Sequence, residues 1–321
     1  MKNKILIVCG DPNSISSELI FKSWNKINRS LRNKIYLIGS FDLLQSQFKK
    51  LKYKIKLKKV ININEKLTEN YLKIIDVKLE FSKPFKVNKI KASKYLLKSL
   101  DLAHKISVQG NISGIINCPI DKNLLGKEKI GVTEYLASKC KVPRNSEVML
   151  IKSNKLSVSP ITTHLDIKEI SKKINKAKIQ NKIKTIVKWY KRSLKINPKI
   201  AVLGLNPHNA ELRKNSEEKK IIIPTISKLK KLNFDVWGPF VADTLFIKDY
   251  AKYDVIIGMY HDQVLAPFKA LFKFKAINIT LGLKYLRASP DHGIAVDLIG
   301  KNKANPLSMI ECIKFINKFG S

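Results

Sequence analysis

The feature that most constrains the fold of this chain is the alternation of short apolar, β-branched runs with longer helical stretches. The strand pattern occurs at residues 4–10, 34–40, 112–120, 148–153, 156–164, 199–208, 234–239, 254–261 and 274–282. Helical stretches between and after them include residues 89–108, 167–194 and 305–319. Strands that alternate with helices are typical of a largely parallel sheet covered by helices. The sequence therefore predicts an α/β fold.

Residues 41–88 depart from this alternation and are rich in Lys, Asn and Ile. We expect short strands and loops there, at the periphery of the protein. The 321 residues suffice for two α/β domains, because single hydrophobic cores stop growing at ~250–300 residues. Candidate points at which the chain passes between the domains are residues 126–131 and 280–286.

The sequence shows no sign of a membrane or secreted protein. No apolar run reaches the ~18 residues of a membrane-spanning helix, and the signal-peptide pattern is missing, so a cytoplasmic location is expected. The four cysteines lie far apart without a C-x-x-C pair: Cys9, Cys118, Cys140 and Cys312. This spacing argues against a zinc ribbon or a redox dithiol and predicts reduced, mostly buried cysteines.

The formal net charge of +37 would suit a nucleic-acid-binding protein if the basic residues formed one patch. Lysines are instead spread along the whole chain, without a basic cluster interleaved with aromatic residues. Fifty-six lysines stand against six arginines, beside abundant Ile and Asn. Lys, Ile and Asn share A- and T-rich codons. A coding bias therefore explains the charge, and a nucleic-acid partner is not favoured.

Three of the five histidines follow apolar runs that are predicted strands: His164, His208 and His261. Ligands of α/β proteins bind beyond the carboxyl ends of parallel strands, so these side chains are expected at one edge of a sheet. Neutral imidazole is the commonest metal ligand among side chains. Together the three histidines would bind a divalent ion and leave positions open for a substrate. Alternatively, each histidine forms hydrogen bonds only within its own loop.

Several acids near these histidines are candidate hydrogen-bond acceptors that would orient an imidazole ring: Asp166, Glu211 and Asp262. Asp243 lies among apolar neighbours and suits either a catalytic role or the N-cap of a helix that begins near Leu245. His104 lies inside a helical stretch without polar company, so a surface or packing role is expected for it.

Several longer motifs occur along the chain in a fixed order: "GLNPH", "GPFVADTLF", "YHDQVLAPFK", "INITLGL" and "SPDHGIAVDLIGKNKANP". They resemble the motifs of the 4-hydroxythreonine-4-phosphate dehydrogenase family of pyridoxal phosphate biosynthesis. "GDP" near the start, "PIDKNLL" and "GVTEYLA" extend the resemblance to nearly the whole chain. The resemblance implies two α/β domains around a central cleft, similar to the fold of the isocitrate and isopropylmalate dehydrogenases.

The reaction that the resemblance implies is the NAD-dependent oxidation of the C3 hydroxyl of 4-phosphohydroxy-L-threonine, followed by decarboxylation to 3-amino-2-oxopropyl phosphate. In this family three histidines bind a divalent metal ion, and the matching residues of this chain are His164, His208 and His261. The expected ion is Zn, Mg, Mn or Co. Family members are homodimers with metal ligands from both subunits. A homodimer with shared active sites and a small phosphorylated substrate is therefore expected.

The resemblance also assigns substrate contacts to Thr133, Lys269, Asn278 and Arg287, and the candidate catalytic residues are Lys269 and Asp243. Arg287 is notable in its own right, because it is one of only six arginines in a lysine-rich chain. Its planar guanidinium can bind a phosphate or carboxylate through two parallel hydrogen bonds, which a lysine cannot do.

The motif "DHGIAVDLIGKNKANP" looks like the adenosine-binding loop of the isocitrate and isopropylmalate dehydrogenases. The matching candidate NAD contacts are His292, Gly293, Asp297 and Asn305. The chain has no G-x-G-x-x-G fingerprint, so NAD binding would not be of the Rossmann type. The implied NAD-binding domain comprises residues 1–128 plus 282–321, and residues 129–281 form the metal, substrate and dimerisation domain.

The chain departs from the family pattern at three places. Val132 replaces the histidine of "GHTE", "NSISSE" replaces a glycine-rich turn, and "NPHNAE" replaces "NPHAGE". Glycines permit close backbone approach, so Ser14, Ser16 and Ala210 would narrow or reshape the site. The alternatives are therefore the family substrate, a related acid such as 4-phospho-threonate or 4-phospho-erythronate, or a protein that binds without catalysis.

Overall fold

A computed structural model of the chain describes residues 4–65, 71–126, 131–143, 146–273, 276–291 and 293–320. Its β-strands are β1 (Ile5–Val8), β2 (Ile35–Gly39), β3 (Lys56–Lys59), β4 (Tyr71–Asp76), β5 (Gly114–Asn117), β6 (Val148–Lys152), β7 (Ser157–Thr162), β8 (Ile200–Leu203), β9 (Val236–Phe240), β10 (Val255–Tyr260), β11 (Ile277–Leu281) and β12 (Leu286–Pro290). Its α-helices are α1 (Ser16–Lys26), α2 (Arg29–Lys34), α3 (Phe41–Lys50), α4 (Lys89–Val108), α5 (Val132–Lys139), α6 (Ile167–Lys173), α7 (Lys176–Trp189), α8 (Ile223–Lys231), α9 (Ala242–Thr244), α10 (His261–Phe272) and α11 (Leu307–Phe319).

The chain divides into two compact units, Met1–Lys141 with Leu283–Ser321 and Val142–Gly282. In the first unit the strands pair in the order β3-β4-β2-β1-β5-β12. All of the pairings given within that order are parallel. Every residue of β1, β2 and β5 is buried, as expected for central parallel strands that are covered on both faces.

In the second unit the strands pair in the order β11-β6-β7-β10-β8-β9. The strand β6 is antiparallel to both of its neighbours, β11 and β7. The strands β7, β10, β8 and β9 are parallel to one another. The carboxyl ends of β7, β10 and β8 therefore lie side by side at one edge of the sheet. The mixed sheet confirms the predicted α/β fold and corrects the expectation of a largely parallel sheet for this unit.

All nine predicted strands overlap an observed strand, although residues 274–275 of the last one lie outside the described residues. The helix predicted at 89–108 coincides with α4. The helical stretch 167–194 is interrupted instead, because the Asn175 side chain accepts a hydrogen bond from the Lys178 N–H and begins α7 as a separate helix. The final turn of that stretch, Tyr190–Leu194, is a π-helix.

The prediction of only short strands and loops for residues 41–88 is wrong in part. Residues 41–50 form α3, and β4 is a mostly buried strand that pairs with both β2 and β3. The sequence reading also missed β12, whose five residues "LRASP" include an arginine and end in proline. Such a sequence lacks the apolar, β-branched pattern that predicts a strand.

The predicted state of the cysteines is confirmed, since all four are free and buried. Among the described residues, none of the helices has both the length and the apolar character that crossing a membrane requires. His104 is not without polar company, because its Nδ1 lies 3.0 Å from the Tyr285 hydroxyl oxygen.

Candidate functional site

Two of the candidate metal ligands lie at the ends of neighbouring strands of the second unit. The parallel strands β7 and β10 pair with Thr162 opposite Tyr260. His261 follows at once as the first residue of α10, and His164 comes two residues after the end of β7. The imidazole centroids of His164 and His261 are 5.8 Å apart, with a 34° angle between the ring planes. The structure thus brings these two side chains together.

One of the three candidate acceptors, Asp262, contacts a histidine ring. Its Oδ1 lies 2.7 Å from Nδ1 of His261. A carboxylate at this distance accepts the Nδ1 proton, so that the other ring nitrogen, Nε2, is the one available to a metal ion. This arrangement fixes both the tautomer and the orientation of the ring.

Side-chain hydrogen bonds tie the three strand ends together. The Thr162 hydroxyl donates to the Met259 carbonyl at 2.7 Å, which joins β7 to β10. The Gln263 amide accepts from the Met259 N–H and donates to the Gly204 carbonyl, both at 2.7 Å, which joins β10 to the chain after β8. Sequence reasoning missed this role of Gln263, although the residue lies in the motif "YHDQVLAPFK".

His208 lies farther from its strand than the sequence predicted. The strand β8 ends at Leu203, and four residues separate that end from His208. Residues 208–212 all have positive φ angles, between 47° and 55°. Each non-glycine residue in this left-handed region costs about 1–2 kcal/mol. Backbone strain of this kind is concentrated at functional sites, and the His208 side chain is exposed there.

Two acidic side chains, one of them fully buried, accept hydrogen bonds from the residues that precede this left-handed turn. Glu218 is fully buried and its Oε1 accepts the backbone N–H groups of Leu205 and Asn206, at 2.8 and 2.9 Å. The Asn206 side chain donates to Glu217 at 2.9 Å. Burial raises the pKa of Glu218, but the hydrogen bonds from Asn206 and Leu205 outweigh burial and lower it below its ordinary value. The ionised carboxylate is therefore the form that supports the turn.

The fit of these residues to a divalent ion rests on the donor set. In the part of the chain that the structure describes, no group of three or more His, Cys, Asp or Glu side chains is placed to bind a metal ion. Two imidazoles nevertheless lie together, one of them oriented by a carboxylate, and His208 follows the adjacent strand. Imidazole nitrogens suit Zn, Co and Mn. The residues present therefore fit such an ion, and two of the three candidate ligands, His164 and His261, already lie close together.

The first unit carries a buried cation, Arg287, in β12. Arg287 is only 3% exposed. The guanidinium Nε donates to Asn117 Oδ1 at 2.7 Å, and Nη1 donates to Thr133 Oγ1 at 3.4 Å. Burial lowers the pKa of Arg287 to about 10, which leaves the group charged at neutral pH. The structure thus brings together two predicted substrate contacts, Arg287 and Thr133.

The other predicted substrate and catalytic residues lie in the second unit. Asn278, in β11, has a buried Oδ1 with no hydrogen-bond partner among the described residues. Lys269 is exposed on α10. Asp243 is exposed in α9, where its Oδ1 accepts the Thr244 N–H at 2.7 Å. The helix already begins at Ala242, so Asp243 is not its N-cap, and that expectation was wrong.

The predicted adenosine loop belongs to the first unit. His292 lies outside the described residues. Gly293 is exposed, and Asp297 is exposed within the 3₁₀ turn Val296–Leu298. Asn305 Oδ1 accepts the Leu307 N–H at 3.0 Å, at the start of α11. The loop therefore has one carboxylate open to solvent and one amide that stabilises a helix start.

The three departures from the family pattern differ in structure. Val132 opens α5 and packs against the hydrophobic core of the first unit. The hydroxyl oxygens of Ser14 and Ser16 are 2.7 Å apart, and Ser14 donates to the Asp11 carbonyl at 2.7 Å. Ala210 lies in the left-handed turn with φ 51°. A glycine would adopt that conformation without strain.

Comparison with known proteins supports the family that these residues indicate. The family model described as pyridoxal phosphate biosynthetic protein PdxA matches residues 31–316. The chain is 35% identical over 319 residues to the 4-hydroxythreonine-4-phosphate dehydrogenase of Sulfurihydrogenibium sp. (strain YO3AOP1), which covers 97% of this chain and 96% of that protein. It is 29% identical over 318 residues to the D-threonate 4-phosphate dehydrogenase of Salmonella typhimurium, with 97% of each chain covered.

Solved structures agree with this result. A 4-hydroxythreonine-4-phosphate dehydrogenase from Klebsiella pneumoniae matches with a TM-score of 0.85 at 27% identity, over 99% of each chain. Isocitrate dehydrogenase from Methylococcus capsulatus matches with a TM-score of 0.50 at 11% identity, over 98% of this chain and 85% of that one, which shows a shared fold alone. The chain is therefore a member of the PdxA family of dehydrogenases.

Proposed function

We propose that the protein is an NAD- and divalent-metal-dependent dehydrogenase that oxidises and decarboxylates 4-phosphohydroxy-L-threonine to 3-amino-2-oxopropyl phosphate. The observation that carries the proposal is the pair of imidazoles at two neighbouring strand ends, His164 and His261, within a chain of the PdxA family. Asp262 supports a metal-binding role for the pair, because it occupies Nδ1 of His261 and leaves Nε2 available.

The proposed metal ligands are His164, His208 and His261. A bound divalent ion would lower the pKa of the substrate hydroxyl and polarise the ketone formed from it, while NAD accepts the hydride. The residues of this chain would orient those groups: Gln263 and Thr162 fix the strand ends that carry the histidines. A homodimer is part of the proposal, since a second copy would supply the ligands that complete the set.

The substrate phosphate is assigned to four proposed contacts: Thr133, Lys269, Asn278 and Arg287. Arg287 is fixed by Asn117 and keeps a charged guanidinium. The buried Oδ1 of Asn278 accepts no hydrogen bond from the described residues, so it could accept one from a hydroxyl or amino group of a ligand. Lys269 and Asp243 are the proposed proton-transfer residues, since both are ionisable and exposed. Proposed NAD contacts are His292, Gly293, Asp297 and Asn305.

A second candidate substrate is D-threonate 4-phosphate or a similar phosphorylated hydroxy acid. The observation in its favour is Val132, which stands where the family has a histidine and packs against apolar side chains. Loss of that histidine removes a hydrogen-bond donor at the position. The relative from Salmonella typhimurium carries the name of this second activity.

The experiment that tests both candidates is a panel of phosphorylated hydroxy acids, assayed with NAD and Zn, Mn, Co or Mg while NADH formation is recorded. The proposal expects turnover of 4-phosphohydroxy-L-threonine that is abolished by a chelator and restored by metal. Turnover of phosphothreonate alone would replace the first substrate by the second. No NADH with any compound, together with no NAD binding by calorimetry, would overturn the dehydrogenase proposal.

The variant Val132→His refines the choice. If the family substrate is used, the new imidazole restores a donor and should raise kcat/KM for 4-phosphohydroxy-L-threonine by about tenfold, the worth of one hydrogen bond to a charged group. If the substrate is phosphothreonate, the new donor has no partner in a partly buried position and activity falls on both compounds. The metal content of the variant is the control, because Val132 lies in the first unit and the histidines lie in the second.

A further inference from the structure

A buried carboxylate of α1 contacts the predicted adenosine loop. Glu18, the third residue of α1, is fully buried. Its Oε1 accepts the Asn302 N–H and its Oε2 accepts the Ala304 N–H, both at 3.0 Å. The acceptor and the loop are separated by more than 280 residues in sequence. Their contact is therefore a tertiary feature of the first unit.

A lysine of the same helix completes the contact. Lys22 lies one turn after Glu18, and its Nζ donates to the Asn302 carbonyl at 2.9 Å and to the Ala304 carbonyl at 3.0 Å. The two side chains also form an ion pair at 3.4 Å. Residues 302 and 304 belong to no strand or helix. Glu18 and Lys22 thus satisfy all four of the peptide groups that these two residues present.

Packing and backbone geometry add to the attachment. Ala304 is buried against Ile15 and Leu19, next to Leu298 and Ile299 of the same loop. Asn302 has a left-handed backbone, with φ 57°. A left-handed asparagine persists where surrounding contacts determine its conformation. The loop between Asp297 and Asn305 is therefore fixed from both its apolar and its polar side.

We propose that Glu18 and Lys22 are positioning residues for NAD, which fix the 297–305 loop in the conformation that binds the adenosine. The proposal rests on the proposed function, which assigns NAD to this loop. Neither residue is assigned a contact with the cofactor. A loop that is ordered before binding costs less entropy on binding, so a fixed loop gives higher affinity. The loss of the contact should consequently weaken NAD binding and leave the chemical step unchanged.

The test compares Glu18→Gln with the wild-type protein. Glutamine has the same shape, but its NH₂ group would meet one of the two backbone N–H donors and cannot accept from it. We expect the Kd for NAD, measured by calorimetry, to rise by about tenfold, as for a lost hydrogen bond to a charged group. The kcat at saturating NAD and the KM for the phosphorylated substrate should stay within twofold, and so should the metal content.

Hydrogen exchange supplies a readout that is independent of activity. In the NAD-free protein, the amides of Asn302 and Ala304 should exchange faster in Glu18→Gln than in wild type. Lys22→Met should act in the same direction, whereas Lys22→Arg should restore affinity because a guanidinium also donates to two carbonyls. Glu80→Gln is the control for a surface ion pair, since Glu80 is exposed and paired with Lys91; its NAD affinity should equal that of wild type.

The outcomes separate the two proposals. A wild-type protein that does not bind NAD overturns the proposed function, and with it this role for Glu18. Faster exchange at residues 302 and 304 with unchanged NAD affinity overturns the positioning role alone, because the contact would then serve only stability. If Glu18→Gln does not fold, the half-buried Lys22 provides the decisive pair, and equal NAD affinity of Lys22→Met and Lys22→Arg overturns the proposal.

Discussion

In the second unit the candidate metal ligands His164 and His208 are exposed beyond the ends of strands, whereas in the first unit the candidate phosphate ligand Arg287 is only 3% exposed. The difference follows from what each group requires. An imidazole must offer its nitrogen to an ion that arrives from solution. A buried guanidinium needs fixed polar partners to remain charged, and Asn117 and Thr133 provide them. The exposed position of the imidazoles and the buried position of the guanidinium therefore each match the chemistry of the group.

The two units also differ at the positions where the family has glycine. Ser14 and Ser16, after β1, have ordinary φ angles, and their hydroxyls form hydrogen bonds with each other and with the chain. Ala210, after β8, has φ 51° and belongs to a left-handed turn of non-glycine residues. The same kind of replacement is thus accommodated by new hydrogen bonds in one unit and by backbone strain in the other. The strained turn is the one that carries His208.

The largest expected effect tests whether the strained turn serves metal binding. His208→Ala should reduce turnover by roughly 10³-fold or more, because a catalytic metal contributes several kcal/mol to transition-state stabilisation. Metal content, measured by inductively coupled plasma mass spectrometry, should fall in parallel. His104→Ala, in the first unit, is the control and should retain full metal content. Full metal occupancy in His208→Ala would remove His208 from the ligand set and leave the strain without this explanation.

Arg287→Lys tests the buried ligand of the first unit. The charge is retained, but the planar donor pair is lost, so kcat/KM for the phosphorylated substrate should fall by about 10–100-fold. NAD affinity and metal content should be unchanged. Arg32→Lys, which alters an arginine whose guanidinium donates to the backbone carbonyls of Trp24 and Asn25, is the matched control. Equal losses of NAD and substrate affinity would show that Arg287 serves the cofactor.

Glu218→Gln tests the support of the left-handed turn. Loss of a charged acceptor for two backbone N–H groups should lower the free energy of unfolding by about 1.5–3 kcal/mol at neutral pH. The native pKa of Glu218 is below its ordinary value of 4.5. Its ionised form therefore contributes stability above that value, and the contribution is lost as the pH falls through the native pKa.

The difference in stability between wild type and Glu218→Gln should accordingly narrow as the pH is lowered below about 4.5. Urea unfolding at a series of pH values measures it, with Glu311→Gln as a control for a surface ion pair. A difference that widens on acidification would mean that the native pKa is raised, and that Glu218 supports the turn in its protonated form.

The smallest expected effects are those of restoring glycine at positions 210 and 14. Ala210→Gly should stabilise the protein by about 0.5–1 kcal/mol, because relief of the left-handed strain exceeds the added entropy of the unfolded chain. Ser14→Gly should destabilise it by about 1 kcal/mol through the lost hydrogen bonds. Thermal or urea unfolding of both variants is the measurement. Equal shifts of the same sign would remove the distinction between the two turns.

The sequence by itself determined the position of nine of the strands, because apolar periodicity is local and each of the nine strand patterns overlaps an observed strand. It also indicated the family, because the motifs keep residue types that the chemistry requires. The pairing of His261 with the neighbouring Asp262 lies within that local range, whereas the helix that begins at His261 was not among the predicted helices. The missed strand β12 does not, since its burial comes from pairing with β5 rather than from its own composition.

Tertiary structure decided which backbone N–H groups donate hydrogen bonds to the buried carboxylates. Glu18 and Ala304 are 286 residues apart, and no local pattern relates them. The left-handed turn at residues 208–212 is also not predicted by local pattern, because its conformation is unfavourable for each residue alone. The residues that lead into it are held by contacts with Glu218 and Gln263, at separations of 13 and 59 residues. Periodicity reports which face of an element is buried. The partner of a buried charge is set by the chain that folds against it, and a residue's own neighbours in sequence do not carry that information.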